Sequence, residues 1–279
     1  MRVTIIGLGL IGGSMALALR EGGKATRITG VDANAQHAEE ALALGLVDEC
    51  GPLEEAVRGA DLVFLAVPVD ALTTLLPAVL DLVELQVVFD AGSTKENVLR
   101  AVKDHPKRGR FVAAHPMWGT EYSGPAAAVR GAFAGKAVVI CDREGSDADA
   151  RTTVEEVYRS LGMHLVYMRA AEHDVHVAYV SHISHITSFA LANTVLEKER
   201  EEDAIFELAS GGFESTVRLA KSNPDMWVPI LQQNRDNVLD VLNEHISQLR
   251  KFKACLEKEN YEYLSELIGQ ANKIRRIIK

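Results

Sequence analysis

Four separated stretches carry side chains able to move a proton or grip an anion. In His115-Pro116-Met117-Trp118-Gly119-Thr120-Glu121 an imidazole follows a short β-branched run and enters a loop containing glycine and proline. That placement suits proton chemistry better than packing, although a lone histidine is more often structural. Asp90-Ala91-Gly92-Ser93-Thr94-Lys95 follows the preceding apolar run, where Ser93 or Thr94, read blandly, only caps the next helix. Ser181-His182-Ile183-Ser184-His185 sets two imidazoles three residues apart on one helix face. Gly211-Gly212-Phe213-Glu214-Ser215-Thr216-Val217-Arg218 brings in a guanidinium, whose planar fork fits a carboxylate; standing alone it is equally a solvated surface charge.

Phosphate chemistry is written at the start of the chain. Gly7-Leu8-Gly9-Leu10-Ile11-Gly12 directly follows an apolar strand and opens a helix, the context in which GxGxxG carries weight. Gly7 allows a tight turn, Gly9 lets the backbone approach a pyrophosphate, and Gly12 permits close packing of helix on strand. Leu10 and Ile11 begin the helix, whose free N–H groups face the phosphates, and Val67 and Pro68, just past the strand at 62–66, complete the expected cofactor-binding set. Asp32 stands 20 residues after Gly12, the spacing at which a carboxylate receives the adenosine ribose hydroxyls. No arginine or lysine occurs from Ala33 to Val57, so a 2′-phosphate would meet repulsion without a local cation, and NAD is expected over NADP.

These residues need a frame. Strands are predicted at 3–6, 27–31, 62–66, 87–89, 111–113, 137–140 and 165–167, alternating with helices at 11–20, 35–44, 53–58, 71–82, 95–102 and 148–161. The β-α-β-α order predicts a parallel sheet covered by crossover helices, an α/β Rossmann-like domain over 1–168 with the chemistry at the C-terminal strand ends. From 169 to 279 apolar residues recur at helical spacing and no strand-like run appears, so an all-helical domain is expected. Tyr261, Leu264, Leu267, Ile268, Ala271 and Ile274 share one face of a terminal helix, and such a leftover stripe predicts a homodimer. Lys273, Arg275, Arg276 and Lys279 at its end suit the helix dipole.

Composition excludes several classes. Thirty-nine acidic against 30 basic residues give a net charge of −9, which disfavours nucleic-acid and anionic-membrane partners. The apolar stretch near residues 3–19 is interrupted by four glycines, and no run reaches the ~18 residues of a membrane helix. Cys50, Cys141 and Cys255 form no close pair, which points to a reducing cytoplasm. A zinc site is the competing use of the histidines, since His173 and His176 form a second i, i+3 pair. At about 100° per residue, His176 and His185 lie on opposite sides of a continuous helix, so no metal is expected.

Taken together, the dinucleotide motif, the Asp90–Lys95 and His115–Glu121 motifs, Ser181–His185, Gly211–Arg218 and the later Asn223-Pro224-Asp225-Met226-Trp227 run resemble the prephenate and arogenate dehydrogenases of tyrosine biosynthesis, in order and spacing over nearly the whole chain. Trp118, where a smaller residue is common, and Ser184, where the family often has proline, depart from the pattern. The resemblance implies that a 4-hydroxycyclohexadiene acid gives hydride to NAD+, loses its ring carboxylate and becomes a phenol. It implies His115 as acceptor of the hydroxyl proton with Ser93 as its hydrogen-bonding neighbour, His185 and Arg218 on the substrate carboxylates, and Thr120 and Glu121 lining the pocket. Prephenate going to 4-hydroxyphenylpyruvate and arogenate going to tyrosine both fit. A β-hydroxyacid dehydrogenase would place a lysine on the first long helix of its second domain, and residues 180–197 contain none. A non-catalytic NAD-binding regulator would leave His115, His185 and Arg218 as coincidences.

Overall fold

A computed structural model describes residues 1–199 and 205–277; Lys279 lies outside them. In chain order the elements are β1 (Arg2–Ile6), α1 (Leu10–Glu21), β2 (Arg27–Val31), α2 (Ala35–Ala43), β3 (Glu49–Cys50), α3 (Leu53–Gly59), β4 (Leu62–Leu65), α4 (Val69–Leu82), β5 (Val87–Asp90), α5 (Glu96–Ala101), β6 (Phe111–Pro116), β7 (Ala137–Cys141), α6 (Ala148–Ser160) and β8 (His164–Met168). Helices alone follow among the described residues: α7 (Ala170–Val177), a π turn (Ala178–His182), α8 (Ile183–Glu199), α9 (Gly211–Val217), α10 (Pro224–Gln233), α11 (Arg235–Glu257) and α12 (Tyr261–Ala271), with short 3-10 turns between. The chain packs as two compact units, Met1–Asn234 and the residues from Arg235 onward, so α7 to α10 belong by packing to the unit that holds the sheet.

The eight strands run in the order β3-β2-β1-β4-β5-β6-β7-β8. The first six are parallel, but β6 and β7 pair antiparallel, with His115 opposite Val139, so the sheet is mixed and not parallel throughout as expected. The reversal follows from the connection: residues 117–136 return from β6 without a crossover helix, and a parallel neighbour would require one. Period-two side-chain alternation explains the burial. In β4, Leu62 and Phe64 join the cluster of Met15, Leu19, Phe89 and Tyr158 on one face, while Val63 and Leu65 join Leu72, Leu76, Val88 and Val98 on the other. Two-sided burial is why these strands read as continuous apolar runs.

The second unit pairs α11 with α12. Taken alone it leaves Leu249, Leu256, Tyr261, Ile268 and Ile274 exposed, and among the described residues no helix is long and apolar enough to cross a membrane.

Candidate active site

The glycine loop follows its sequence pattern closely. Gly7 adopts φ +92°, where a Cβ would stand 2.4 Å from the Ala66 carbonyl oxygen, and a Cβ on Gly12 would stand 1.8 Å from that of Gly7. Gly9, at the N-cap of α1, has nothing within 4 Å of a notional Cβ. Gly7 and Gly12 are thus demanded by the fold, whereas the space beside Gly9 is open to a ligand. The carboxylate of Asp32 accepts the N–H of Leu8 in this loop at 2.8 Å and that of Asn34 at 2.8 Å. Its remaining lone pairs are free for hydroxyls, and the His37 imidazole lies 3.8 Å away. Val67 packs against the Gly7 turn and Pro68 caps α4. Open space at Gly9, orphan amides at the start of α1 and an acidic acceptor at the end of β2 fit a dinucleotide.

Beside this edge sits a buried polar cluster. Asp90 and Lys95 are both fully buried and paired with each other; Asp90 also accepts the N–H of Gly92 at 2.9 Å and of Ala114 at 2.9 Å, tying the β5 loop to β6 next to His115. Strand β6 continues through Pro116, so His115 lies within the strand and not beyond its end. Its Nδ1 meets Nε2 of His173 at 2.8 Å. His173 Nδ1 in turn meets Asp174 Oδ1 at 2.7 Å, and Asp174 accepts the main-chain N–H groups of Lys95 at 2.8 Å and Glu96 at 3.0 Å. The expected hydrogen bond between Ser93 and His115 is not made: the ring nitrogen that finds a protein partner faces α7, while Ser93 stays half-buried in the neighbouring loop. Burial first, and then the proximity of His173, the Lys95 ammonium and His182, hold His115 well below the usual imidazole pKa. It is therefore neutral at pH 7 and able to accept a proton.

The helical residues close the cluster. Asn234 Nδ2 donates to the Asp174 carbonyl at 2.6 Å and to His182 Nδ1 at 3.2 Å. Burial lowers His182 to about 4. His173 and His182 are nine residues apart, which in a regular α-helix puts them about 180° apart. The π turn at Ala178–His182 absorbs about one residue and brings them to within about 80°, so one asparagine can serve both segments. The same turn removes the regular-helix argument that separated His176 from His185. His176 is exposed, and among the described residues no three His, Cys, Asp or Glu side chains are grouped to hold a metal.

His185 stacks on Trp227 with ring centroids 3.5 Å apart, and its Nδ1 lies 3.0 Å from the Ser181 carbonyl. A carbonyl only accepts, so Nδ1 carries the hydrogen and Nε2 is an acceptor; gripping a carboxylate there requires a protonated ring, which burial disfavours. Arg218, half-exposed, pairs with Glu121 at 2.8 Å, joining two residues expected to touch the substrate. Thr120 lies next to Glu121 and its hydroxyl accepts the Tyr122 N–H at 3.3 Å. Sequence reasoning missed His173, Asp174, Trp227 and Asn234 as parts of this cluster; Trp227 lay in a motif already singled out, and His173 was weighed only as a metal ligand.

A dinucleotide loop opening at the sheet edge that also holds a partly buried, neutral imidazole defines a nucleotide-dependent dehydrogenase. Family models agree: residues 15–167 match the nucleotide-binding domain of prephenate dehydrogenase and residues 169–270 its dimerization domain. The chain belongs to the prephenate dehydrogenase family. It is 32% identical over 98% of its length to prephenate dehydrogenase of Bacillus subtilis, covering 75% of that protein, and 30% identical over 99% to cyclohexadienyl dehydrogenase of Zymomonas mobilis, covering 96%. The crystal structure of Aquifex aeolicus prephenate dehydrogenase, in complex with hydroxyphenyl propionate and NAD+, superposes with a TM-score of 0.91 at 29% identity, covering 100% of this chain and 98% of that one.

Proposed function

We propose that this chain catalyses the NAD-dependent oxidative decarboxylation of prephenate to 4-hydroxyphenylpyruvate. The observation that carries the reading is His115: partly buried, neutral and aligned by His173 at the sheet edge that holds the glycine loop. Gly7, Gly9, Leu10, Ile11, Gly12, Asp32, Val67 and Pro68 would hold the cofactor, with Asp32 favouring the unphosphorylated ribose of NAD. When bound, NAD+ supplies the hydride acceptor. As the hydroxyl-bearing carbon loses hydride and becomes ketone-like, Nε2 of His115 accepts the hydroxyl proton, with Ser93 beside it in the β5 loop. The ring carboxylate then leaves as carbon dioxide, its electron pair completes the aromatic ring, and the phenolate oxygen takes back a proton from His115 to give the phenol. Arg218 grips a substrate carboxylate by exchanging its contact with Glu121, and Thr120, Glu121 and His185 line the pocket.

The likeness to a cyclohexadienyl dehydrogenase over nearly the whole chain supports arogenate as a second substrate of the same chemistry. Functionally, residues 1–168 would bind the cofactor and 169–279 the substrate and a second copy of the chain. The dimerization-domain match and the exposed apolar residues of α11 and α12 support a homodimer. The composition supports a cytoplasmic location without nucleic-acid or membrane partners. NADH formation measured with prephenate and with arogenate, under NAD+ and NADP+ in turn, tests the reading; no turnover of either acid would overturn it.

A further inference from the structure

The geometry points to His173 and Asp174 as positioning residues that dictate which nitrogen of His115 receives a proton; this inference rests on the dehydrogenase reading, in which His115 is the acceptor. The argument is one of donors and acceptors. The carboxylate of Asp174 already accepts the N–H groups of Lys95 and Glu96. Its third partner, His173 Nδ1 at 2.7 Å, must therefore supply a hydrogen. Burial lowers the pKa of His173, and a neutral ring has only one N–H, so its Nε2 is an acceptor. The atom 2.8 Å from that acceptor, His115 Nδ1, is then the donor. That leaves His115 Nε2 with its lone pair exposed toward chemistry.

Three residues in series thus fix one tautomer of His115 without help from a ligand. The surrounding charges act in the same sense. Lys95 from the start of α5, paired with Asp90 from β5, and His182 from the π turn face the two rings, and the ammonium penalises a resting positive charge on either. Once Nε2 has taken a proton, the cation on His115 points its Nδ1–H at a good acceptor, and His173 passes that polarisation to Asp174. Asp174 also ties α7 to the start of α5 through the two amides, so its own loss would perturb the fold as well as the relay.

The test separates those two roles. Histidine labelled with 15N in the whole ligand-free protein should place the hydrogen of His115 on Nδ1, and in His173→Leu the two tautomers should mix. With prephenate and NAD+, His173→Leu should lose at least about 10-fold in kcat with KM changed less than about 3-fold, because the defect lies in proton acceptance. His173→Gln, whose carbonyl can still accept from Nδ1, should recover part of that loss. Melting curves identify the variants that fold, and Asp174→Asn serves where His173→Leu does not. An Nε2–H tautomer of His115 in the unaltered protein, or a folded His173→Leu with unchanged kcat and pH profile, overturns the inference. The labelling result stands apart from turnover, so an inactive wild type would sink the functional reading while leaving the tautomer question answered.

Discussion

Gly9→Ala and Gly12→Ala should fail for opposite reasons, although both alter one hexapeptide by one methyl group. At Gly9 the new Cβ has no neighbour within 4 Å, and φ −71° with ψ −159° is open to alanine. Losing glycine as an N-cap costs about 0.5–1 kcal/mol, and the reduced freedom of the unfolded chain offsets it by about 0.4–1 kcal/mol. Stability should therefore stay within about 0.5 kcal/mol of wild type. At Gly12 the Cβ falls 1.8 Å from the Gly7 oxygen and 3.2 Å from Ile5 Cγ2, so backbone must move; overpacking of this kind costs about 1–3 kcal/mol, and Tm should drop by about 2–4 °C for each kcal/mol. NAD+ reverses the ranking. At about 100 times its Kd the cofactor stabilises the fold by about 2.7 kcal/mol, and a tenfold weaker Kd at the same concentration leaves about 1.4 kcal/mol. Melting curves of Gly9→Ala with and without NAD+ should thus keep the free Tm and lose about half of the cofactor shift, with KM for NAD+ raised about tenfold or more. A Gly9→Ala protein with a wild-type NAD+ shift, or one as unstable as Gly12→Ala, would refute the assignment of that open space to the pyrophosphate.

Four further outcomes follow from the same cluster. Asp32→Ala should relax the preference for NAD+, and equal turnover of NADP+ by the unaltered protein would remove the role given to Asp32. His115→Asn should lower kcat by about 100-fold or more while KM moves little; a near-normal kcat would remove it as the proton acceptor. Arg218→Gln should raise KM for the acid by about 30-fold, the equivalent of about 2 kcal/mol, with lysine restoring only part; an unchanged KM would leave Arg218 merely as the partner of Glu121. His182 titrates near 4 when folded and near 6.5 when unfolded, so the unfolded chain binds more protons between those values. The stability this histidine contributes, about 3 kcal/mol, is whole above pH 6.5 and lost as pH falls toward 4. Urea midpoints taken across that window should fall, and less steeply in His182→Gln.

What the sequence made legible was local. The glycine loop, Asp32 and the strand–helix alternation depend on neighbours within a few residues or on side-chain periodicity, and the packing of Gly7, Gly12 and Asp32 follows those constraints. The reversal of β7 was hidden because an apolar run has no direction written in it; only the span 117–136, too short of helix for a crossover, hinted at the reversal. The partner of His115 was hidden for another reason. The resemblance implies Ser93, in the loop after the adjacent strand, but which nitrogen of a ring meets which neighbour is decided by a helix 58 residues away.

The π turn explains why that helix was hardest to read. A five-residue turn of this kind has no composition of its own, and reading 170–199 as a regular helix puts every residue after 182 about 100° out of place. That is how a regular helix sets His176 and His185 on opposite sides. In the structure the turn lets Asn234 reach the Asp174 carbonyl and the His182 ring together, while the Asp174 carboxylate holds α5 and His173. A π turn within an α-helix is rare and is found frequently at functional sites, where it shifts which side chains share a face. Here the re-aimed side chain is His182, and with it comes the buried wall behind His115. The π turn in the helix and the chemistry at the sheet edge are therefore parts of one arrangement, and a change that regularised the helix would be felt at the imidazole.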